Sequence, residues 1–112
     1  TVRQLQRSIL EAAGYRVSTA RDGREALERL ADESDVALVV TDVEMPEMDG
    51  IELVEALRAD PQTQSLPVIV VTTRGGDDDR RRGIEAGADA YMTKRGFDQQ
   101  ALLETVERLI GR

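Results

Sequence analysis

Apolar and polar positions along the chain follow two patterns, one typical of amphipathic helices and one typical of buried strands. Near the start, apolar residues recur at steps of three and four, which places them on one helix face; they are Val2, Leu5, Ile9, Leu10 and Ala13. The same period, together with turn residues at the ends, predicts five helices in all, over 1–13, 24–30, 51–59, 77–86 and 98–110.

Between these helices lie segments with the character of strands. Residues 36–41 (VALVVT) and 66–72 (LPVIVVT) are apolar without alternation, which is typical of strands buried on both faces of a parallel sheet. Shorter segments at 15–20 and 88–93 are also predicted as strands. Helices and strands that alternate over short connections indicate an α/β domain, in which right-handed crossovers place helices on both faces of a parallel sheet.

Composition narrows the chemistry available to this predicted domain. The 112 residues contain no histidine and no cysteine, so a Ser-His-Asp triad, a thiol nucleophile, disulfides and the usual zinc sites are excluded. The formal net charge of −7 and an aromatic content of 3% argue against nucleic-acid binding. The apolar runs are far shorter than a membrane span and no signal peptide opens the sequence. We therefore predict a cytoplasmic protein that contacts neither nucleic acid nor membrane.

Three polar residues follow predicted strands, at the edge where parallel sheets carry their sites. Asp42 could attack phosphorus as a carboxylate, Thr72 could donate its hydroxyl to a phosphoryl oxygen, and Lys94 is the only lysine among 15 basic residues. Each also has an ordinary explanation, as a turn-starting acid, a strand residue and a chance lysine. Taken together, they suit phosphoryl transfer, which usually needs Mg²⁺ and charge stabilisation.

Three ordered segments carry a resemblance to a known family: VVTDVEMPEMDG, LPVIVVTT and AGADAYMTK. They resemble the receiver domain of two-component response regulators over nearly the whole chain. The resemblance implies a flavodoxin-like doubly wound parallel sheet of order 2-1-3-4-5. It implies that Asp42 is the phosphoacceptor, that Thr72 and Lys94 bind the phosphoryl group, and that Tyr91 is the aromatic switch residue. A half-buried strand tyrosine is the ordinary reading of Tyr91.

The resemblance also implies a Mg²⁺ site and a shaped loop after the acceptor. Asp42 and the backbone carbonyl of Glu44 are expected to bind the metal, while Pro46 and Gly50 shape the loop. The side chain of Glu44 is expected to tune the lifetime of the phosphoryl group.

The sequence departs from the family at its beginning. Receivers open with an apolar strand that ends in two acids, and these acids hold Mg²⁺ together with the acceptor. Here residue 1 already falls within the first helix, so 1–112 is interpreted as a receiver domain that lacks its first strand. Three explanations stay open: the parent protein contains the strand, a neighbouring chain supplies the pairing, or the receiver is degenerate.

The segment after the last strand departs as well. Lys94 is followed by Arg95 instead of the proline that is usual in the family. This ending and the first helix resemble receivers at the C-terminus of hybrid CheA-type chemotaxis histidine kinases.

The leading hypothesis is a receiver that takes a phosphoryl group from the phosphohistidine of a histidine kinase or phosphotransfer domain onto Asp42. It would catalyse its own phosphorylation and dephosphorylation without turning over small substrates. It would then signal to a downstream protein through the face formed by helix 4, strand 5 and helix 5 of the family fold.

A degenerate receiver that binds partners independently of phosphorylation is the alternative. A haloacid-dehalogenase-like phosphohydrolase is a third reading, since Asp42-Val43-Glu44 resembles its DxD motif.

Overall fold

A computed structural model describes residues 2–33, 35–43, 47–72, 77–93 and 99–110. Five helices and three strands lie along these segments; the first two elements are helices, and helices and strands alternate after them. In chain order they are α1 (Val2–Ala12), α2 (Gly23–Asp32), β1 (Val39–Thr41), α3 (Gly50–Ala59), β2 (Val68–Thr72), α4 (Asp77–Ala86), β3 (Ala90–Thr93) and α5 (Gln99–Ile110). No described helix has both the length and the apolar character that a bilayer crossing requires.

The three strands form a parallel sheet in the order β1-β2-β3. Thr41 is paired in register with Val70, and Val70 with Tyr91. The last residues of β2 and β3, Thr72 and Thr93, are also paired. This order equals the last three strands of the predicted order 2-1-3-4-5, and the flavodoxin-like parallel architecture is therefore confirmed.

The prediction of a strand over 15–20 is wrong. This segment forms no regular strand, although Tyr15 and Val17 pack against a buried apolar cluster. A strand needs a neighbour to complete its backbone hydrogen bonds. The predicted order places that neighbour before Thr1. The apolar pattern therefore located a packed segment correctly, whereas the pairing that would make it a strand is not provided by the described residues.

The core consists of two apolar clusters, one on each face of the sheet. The first lies under α2, α3 and α4, and its fully buried members are Val43, Ile51, Leu53, Val54, Leu57, Val68 and Val70. The second lies under α1 and α5, with Ile9, Leu10, Ile69, Val71, Leu102 and Val106. Successive residues of β2 enter opposite clusters, which confirms that this strand is buried on both faces.

Arg58, near the end of α3, joins three segments at the amino ends of β2 and β3. Its Nη2 donates to the carbonyl of Gly87 at 2.8 Å and to a carboxylate oxygen of Asp89 at 3.0 Å. Its Nη1 donates to the carbonyl of Leu66 at 2.7 Å. The same Asp89 oxygen accepts from the backbone N–H of Val68 at 2.8 Å. This guanidinium therefore fixes the end of the sheet opposite to the one where β1 leads into Asp42.

We expect Arg58→Met to lower the free energy of unfolding by about 2–3 kcal/mol, because three carbonyls, those of Gly87, Leu66 and Gln64, and the Asp89 carboxylate lose their charged donor. Urea denaturation measures this change. Arg29→Met is the matched control, since Arg29 makes an exposed ion pair with Glu25 at 3.4 Å. The control should lose less than about 0.5 kcal/mol. Equal losses in the two variants would contradict the role assigned to Arg58.

Candidate functional site

The carboxyl edge of the sheet brings the ends of the strands together. Asp42 directly follows β1 and is partly buried. Because Thr41 is level with Val70, the next residue, Asp42, lies beside the last part of β2. The backbone of Thr72 ends β2 in register with Thr93, the last residue of β3. The structure thus places Asp42 and the backbone of Thr72 at one edge, as predicted.

Several predicted site residues lie outside the described residues. They are Glu44, Pro46 and Lys94, of which Lys94 directly follows the last residue of β3. Gly50 is described, is buried, and begins α3. Tyr91 is described in β3 and is half-buried.

Two successive carbonyl groups at Asp42 and Val43 are held by hydrogen bonds. The hydroxyl of Thr41 donates to the carbonyl oxygen of Asp42 at 3.0 Å. The backbone N–H of Gly50 donates to the carbonyl oxygen of Val43 at 2.9 Å. A Cβ atom on Gly50 would lie 1.9 Å from the carbonyl oxygen of Asp42, so only glycine allows this approach. The start of α3 therefore packs directly against the backbone of Asp42.

A capping box fixes the start of α3. The carboxylate of Asp49 accepts from the backbone N–H of Glu52 at 2.8 Å, and the carboxylate of Glu52 accepts from the backbone N–H of Asp49 at 3.1 Å. Reciprocal bonds of this kind satisfy donors that the first helical turn leaves unpaired. The capping box therefore orders the end of the loop without using the side chain of Asp42.

The same loop contains a residue in an uncommon backbone conformation. Glu47 has φ of 68°, in the left-handed region that favours glycine. A non-glycine residue is disfavoured there by about 1–2 kcal/mol. The neighbouring Met48 packs on the start of α2, where a Cβ on Gly23 would meet the Met48 side chain at 3.0 Å. The contact between α2 and the loop, and the conformation of Glu47, were not predicted from the sequence, in which Gly23 indicates no more than a turn.

Tyr91 lies beneath α4. Its ring is within 3.1 Å of the position that a Cβ on Gly83 would occupy. The ring also packs against the apolar cluster under α2, α3 and α4. Gly83 is buried in the interior of α4. The half-buried placement of Tyr91 agrees with the ordinary reading, and its role as a switch stays a prediction.

Side-chain ligands for a divalent cation do not cluster within the described segments. Among the residues that the structure describes, no group of three or more His, Cys, Asp or Glu side chains could hold a metal ion. Mg²⁺ demands near-octahedral oxygen coordination, and a single carboxylate fulfils little of it. The described residues by themselves do not fit a complete magnesium site.

Comparison with known proteins places this arrangement in a family. The family model for the response regulator receiver domain matches residues 1–107. The chain is 37% identical over 112 residues to the chemotaxis protein CheY1 of Helicobacter pylori, with 99% of this chain and 90% of that protein covered. It is 40% identical over 111 residues to the response regulator MprA of Mycolicibacterium vanbaalenii, with 99% of this chain covered.

The chain spans only part of some curated relatives. It covers 46% of MprA. It covers 14% of the gliding motility regulatory protein of Myxococcus xanthus, to which 96% of the chain is 35% identical.

Solved structures agree with the sequence relatives. A putative response regulator from Chloroflexus aurantiacus matches with a TM-score of 0.92 at 32% identity, covering 99% of this chain and 89% of that one. The receiver domain of a sensor histidine kinase from Pseudomonas aeruginosa, with a magnesium ion coordinated in its active-site cleft, matches with a TM-score of 0.87 at 25% identity, covering 98% and 88%.

The family model, the sequence relatives and the solved structures all identify the same type of domain. Receiver domains of this kind bind Mg²⁺ in the active site and interact with histidine kinases or phosphotransfer proteins. The parallel sheet, the helices on both of its faces and the matched family model agree. This chain belongs to the response regulator receiver domain family of two-component signalling.

Proposed function

We propose that Asp42 is the phosphoacceptor of this receiver. An oxygen of its carboxylate attacks the phosphorus of a phosphohistidine, a P–O bond forms, and the P–N bond breaks. The histidine nitrogen leaves with the electron pair of that bond and takes up a proton. Because the chain has no histidine, the donor is another protein or another domain, of the histidine kinase or phosphotransfer type.

The observation that carries the proposal is the position of Asp42 at the carboxyl end of β1. Parallel α/β sheets place their sites outside this edge. Two acids of the described part that precede helices serve as caps: Asp22 accepts from the N–H of Glu25 at 2.8 Å, and Asp49 accepts from the N–H of Glu52 at 2.8 Å. Asp42 follows a strand and caps no helix of the described part.

Thr72 and Lys94 are proposed to bind the transferred group. A hydroxyl and an ammonium after the neighbouring strands can neutralise and orient the phosphoryl oxygens. Bound Mg²⁺ would neutralise charge on the same oxygens. We propose that the carboxylate of Asp42 and the backbone carbonyl of Glu44 contribute to its binding. The remaining ligands are proposed to be an acidic pair at the end of a strand encoded before Thr1.

The signalling surface is proposed to be the face formed by α4, β3 and α5. Tyr91 lies in β3 and packs against Gly83 of α4, so a movement of the ring would alter how α4 sits on the sheet. The partner is proposed to be a downstream signalling protein, with no direct contact to nucleic acid. The cytoplasm stays the predicted location.

Phosphorylation by a small-molecule donor tests the proposal. The protein as its gene encodes it is incubated with acetyl phosphate and Mg²⁺ and analysed by intact mass spectrometry. We expect the addition of one phosphate that is stable in acid and labile in base, as an acyl phosphate is. If no phosphate were added and no NMR signal near Asp42 shifted with Mg²⁺, the receiver would instead be a phosphorylation-independent interaction module.

A further inference from the structure

We propose that Thr41 is a positioning residue for phosphoryl transfer, because its hydroxyl holds the main-chain carbonyl of the acceptor. This inference rests on the proposed function of Asp42. Thr41 is not assigned a contact with the reacting atoms. It acts on the backbone from which the carboxylate projects.

Among the side chains that the structure describes, Thr41 is the one polar side chain that is buried. It is 6% exposed, and its hydroxyl donates to the carbonyl oxygen of Asp42 at 3.0 Å. A buried hydroxyl is unfavourable unless it is hydrogen-bonded. At a strand end of this kind, valine would fill nearly the same volume without that requirement. We therefore infer that the hydroxyl is needed at this position to hold the carbonyl group of Asp42.

The carbonyl oxygen of Asp42 is enclosed on its other side by α3. A Cβ atom on Gly50 would lie 1.9 Å from this oxygen, which means that the α-carbon of Gly50 already fills this side. The next carbonyl, of Val43, is held by the N–H of Gly50 at 2.9 Å. The hydroxyl of Thr41 thus holds the oxygen of the peptide group that joins residues 42 and 43. The backbone of Gly50 in α3 holds the carbonyl of the next residue, Val43.

The carbonyl carbon of Asp42 is bonded directly to the α-carbon of Asp42, so a hydrogen bond that holds the carbonyl oxygen also restricts the position of that α-carbon. If the hydroxyl were absent, the carbonyl of Asp42 would lose this hydrogen bond, and its orientation would no longer be held from the side of Thr41. Because α3 is held in the core by its buried apolar side chains, we expect the end of β1 to adjust, and the α-carbon of Asp42 to shift with it. A displacement of about 1 Å in a reacting group lowers a rate by about 100-fold. A smaller tilt is expected to lower the rate without abolishing it.

The test compares variants at position 41 that differ in the hydroxyl alone. Thr41→Ser and Thr41→Ala both lack the γ-methyl group, and only the serine keeps the hydroxyl. The initial rate of phosphorylation is measured against acetyl phosphate concentration at fixed Mg²⁺, which separates the maximum rate from the half-saturating concentration. We expect Thr41→Ser to keep the maximum rate within about threefold of the wild type, and Thr41→Ala to lose at least about tenfold, with a similar half-saturating concentration.

A control at the other end of α3 removes a similar bond without touching the acceptor. The hydroxyl of Thr63 donates to the carbonyl of Leu57 at 2.8 Å and is partly buried. Thr63→Ala should lower the melting temperature, as Thr41→Ala does, yet leave the maximum rate unchanged. Circular dichroism establishes that each variant is folded at the temperature of the assay.

The outcomes are separable. Equal maximum rates for Thr41→Ser and Thr41→Ala, with a phosphorylated wild type, would overturn the positioning role alone. If Thr63→Ala also lost about tenfold in maximum rate, the loss in Thr41→Ala would be an effect of lowered stability. That result would also overturn the positioning role of Thr41. A wild type that takes no phosphate would overturn the proposed function of Asp42, and the inference on Thr41 with it.

Discussion

Asp42→Asn is expected to abolish phosphorylation of this receiver. The amide of asparagine has nearly the size of the carboxylate, but its oxygen is a poor nucleophile and its product with phosphorus would not persist. The backbone contacts of residue 42, to the hydroxyl of Thr41 and to α3, do not involve the side chain and should persist. Intact mass after incubation with acetyl phosphate and Mg²⁺ should therefore show no added phosphate on a folded protein.

Asp49→Asn is the matched control for this variant. Asp49 lies in the same loop, and asparagine caps helices about as well as aspartate does. We expect it to gain one phosphate at a rate close to that of the wild type. Retention of the acid-stable, base-labile phosphate by Asp42→Asn would show that the acceptor is another residue, and loss in Asp49→Asn alone would point to Asp49.

Gly50→Ala adds a single methyl group, and we expect it to destabilise the folded protein strongly. The added Cβ would lie 1.9 Å from the carbonyl oxygen and 2.8 Å from the carbonyl carbon of Asp42. Both are backbone atoms, which cannot turn aside as a side chain can. Either α3 or the end of β1 must shift, and we expect a loss of at least about 3 kcal/mol in the free energy of unfolding. Thermal denaturation should show a melting temperature lower by roughly 10–20 °C.

Gly83→Ala provides the comparison for Gly50→Ala. Its Cβ would lie 3.1 Å from the ring of Tyr91, and a ring can rotate. Alanine is also favoured over glycine inside a helix by about 0.5–1 kcal/mol, which offsets the contact. The change in unfolding free energy should stay within about 1 kcal/mol. A comparable loss in the two variants would show that the close approach of Gly50 to Asp42 is not what makes the methyl group harmful.

The sequence pattern predicted the fold wherever the pattern reports on burial. In the uninterrupted apolar run of β2, the side chains of Ile69 and Val70 are both 0% exposed. They pack into opposite apolar clusters, as a strand buried on both faces requires. The segment 15–20 has apolar residues that do pack, but a strand also needs a hydrogen-bonding neighbour. Such pairing depends on residues distant in sequence, and periodicity does not report it.

The site was predictable only in part, for a similar reason. Asp42 stands out because a carboxylate directly after a buried strand is conspicuous in the sequence. Thr41 does not, because a β-branched residue fits the strand and its hydrogen bond to Asp42 depends on the local backbone. The left-handed conformation of Glu47 and the hydrogen bonds of Arg58 also depend on how distant segments meet. The roles of Thr72, Lys94 and Tyr91 rest on the family resemblance and stay predictions.

Gly83 has a consequence for which part of the domain can open on its own. Among the α4 side chains that the structure describes, a buried glycine and the small Ala86 pack toward the core, whereas α3 inserts Ile51, Leu53, Val54 and Leu57 into it. A glycine inside a helix also weakens that helix. Segments with few buried apolar contacts open at lower free energy than the global unfolding transition. We therefore expect α4 to open at lower free energy than the sheet and α3, so that a change of state would need only a small part of the total stability.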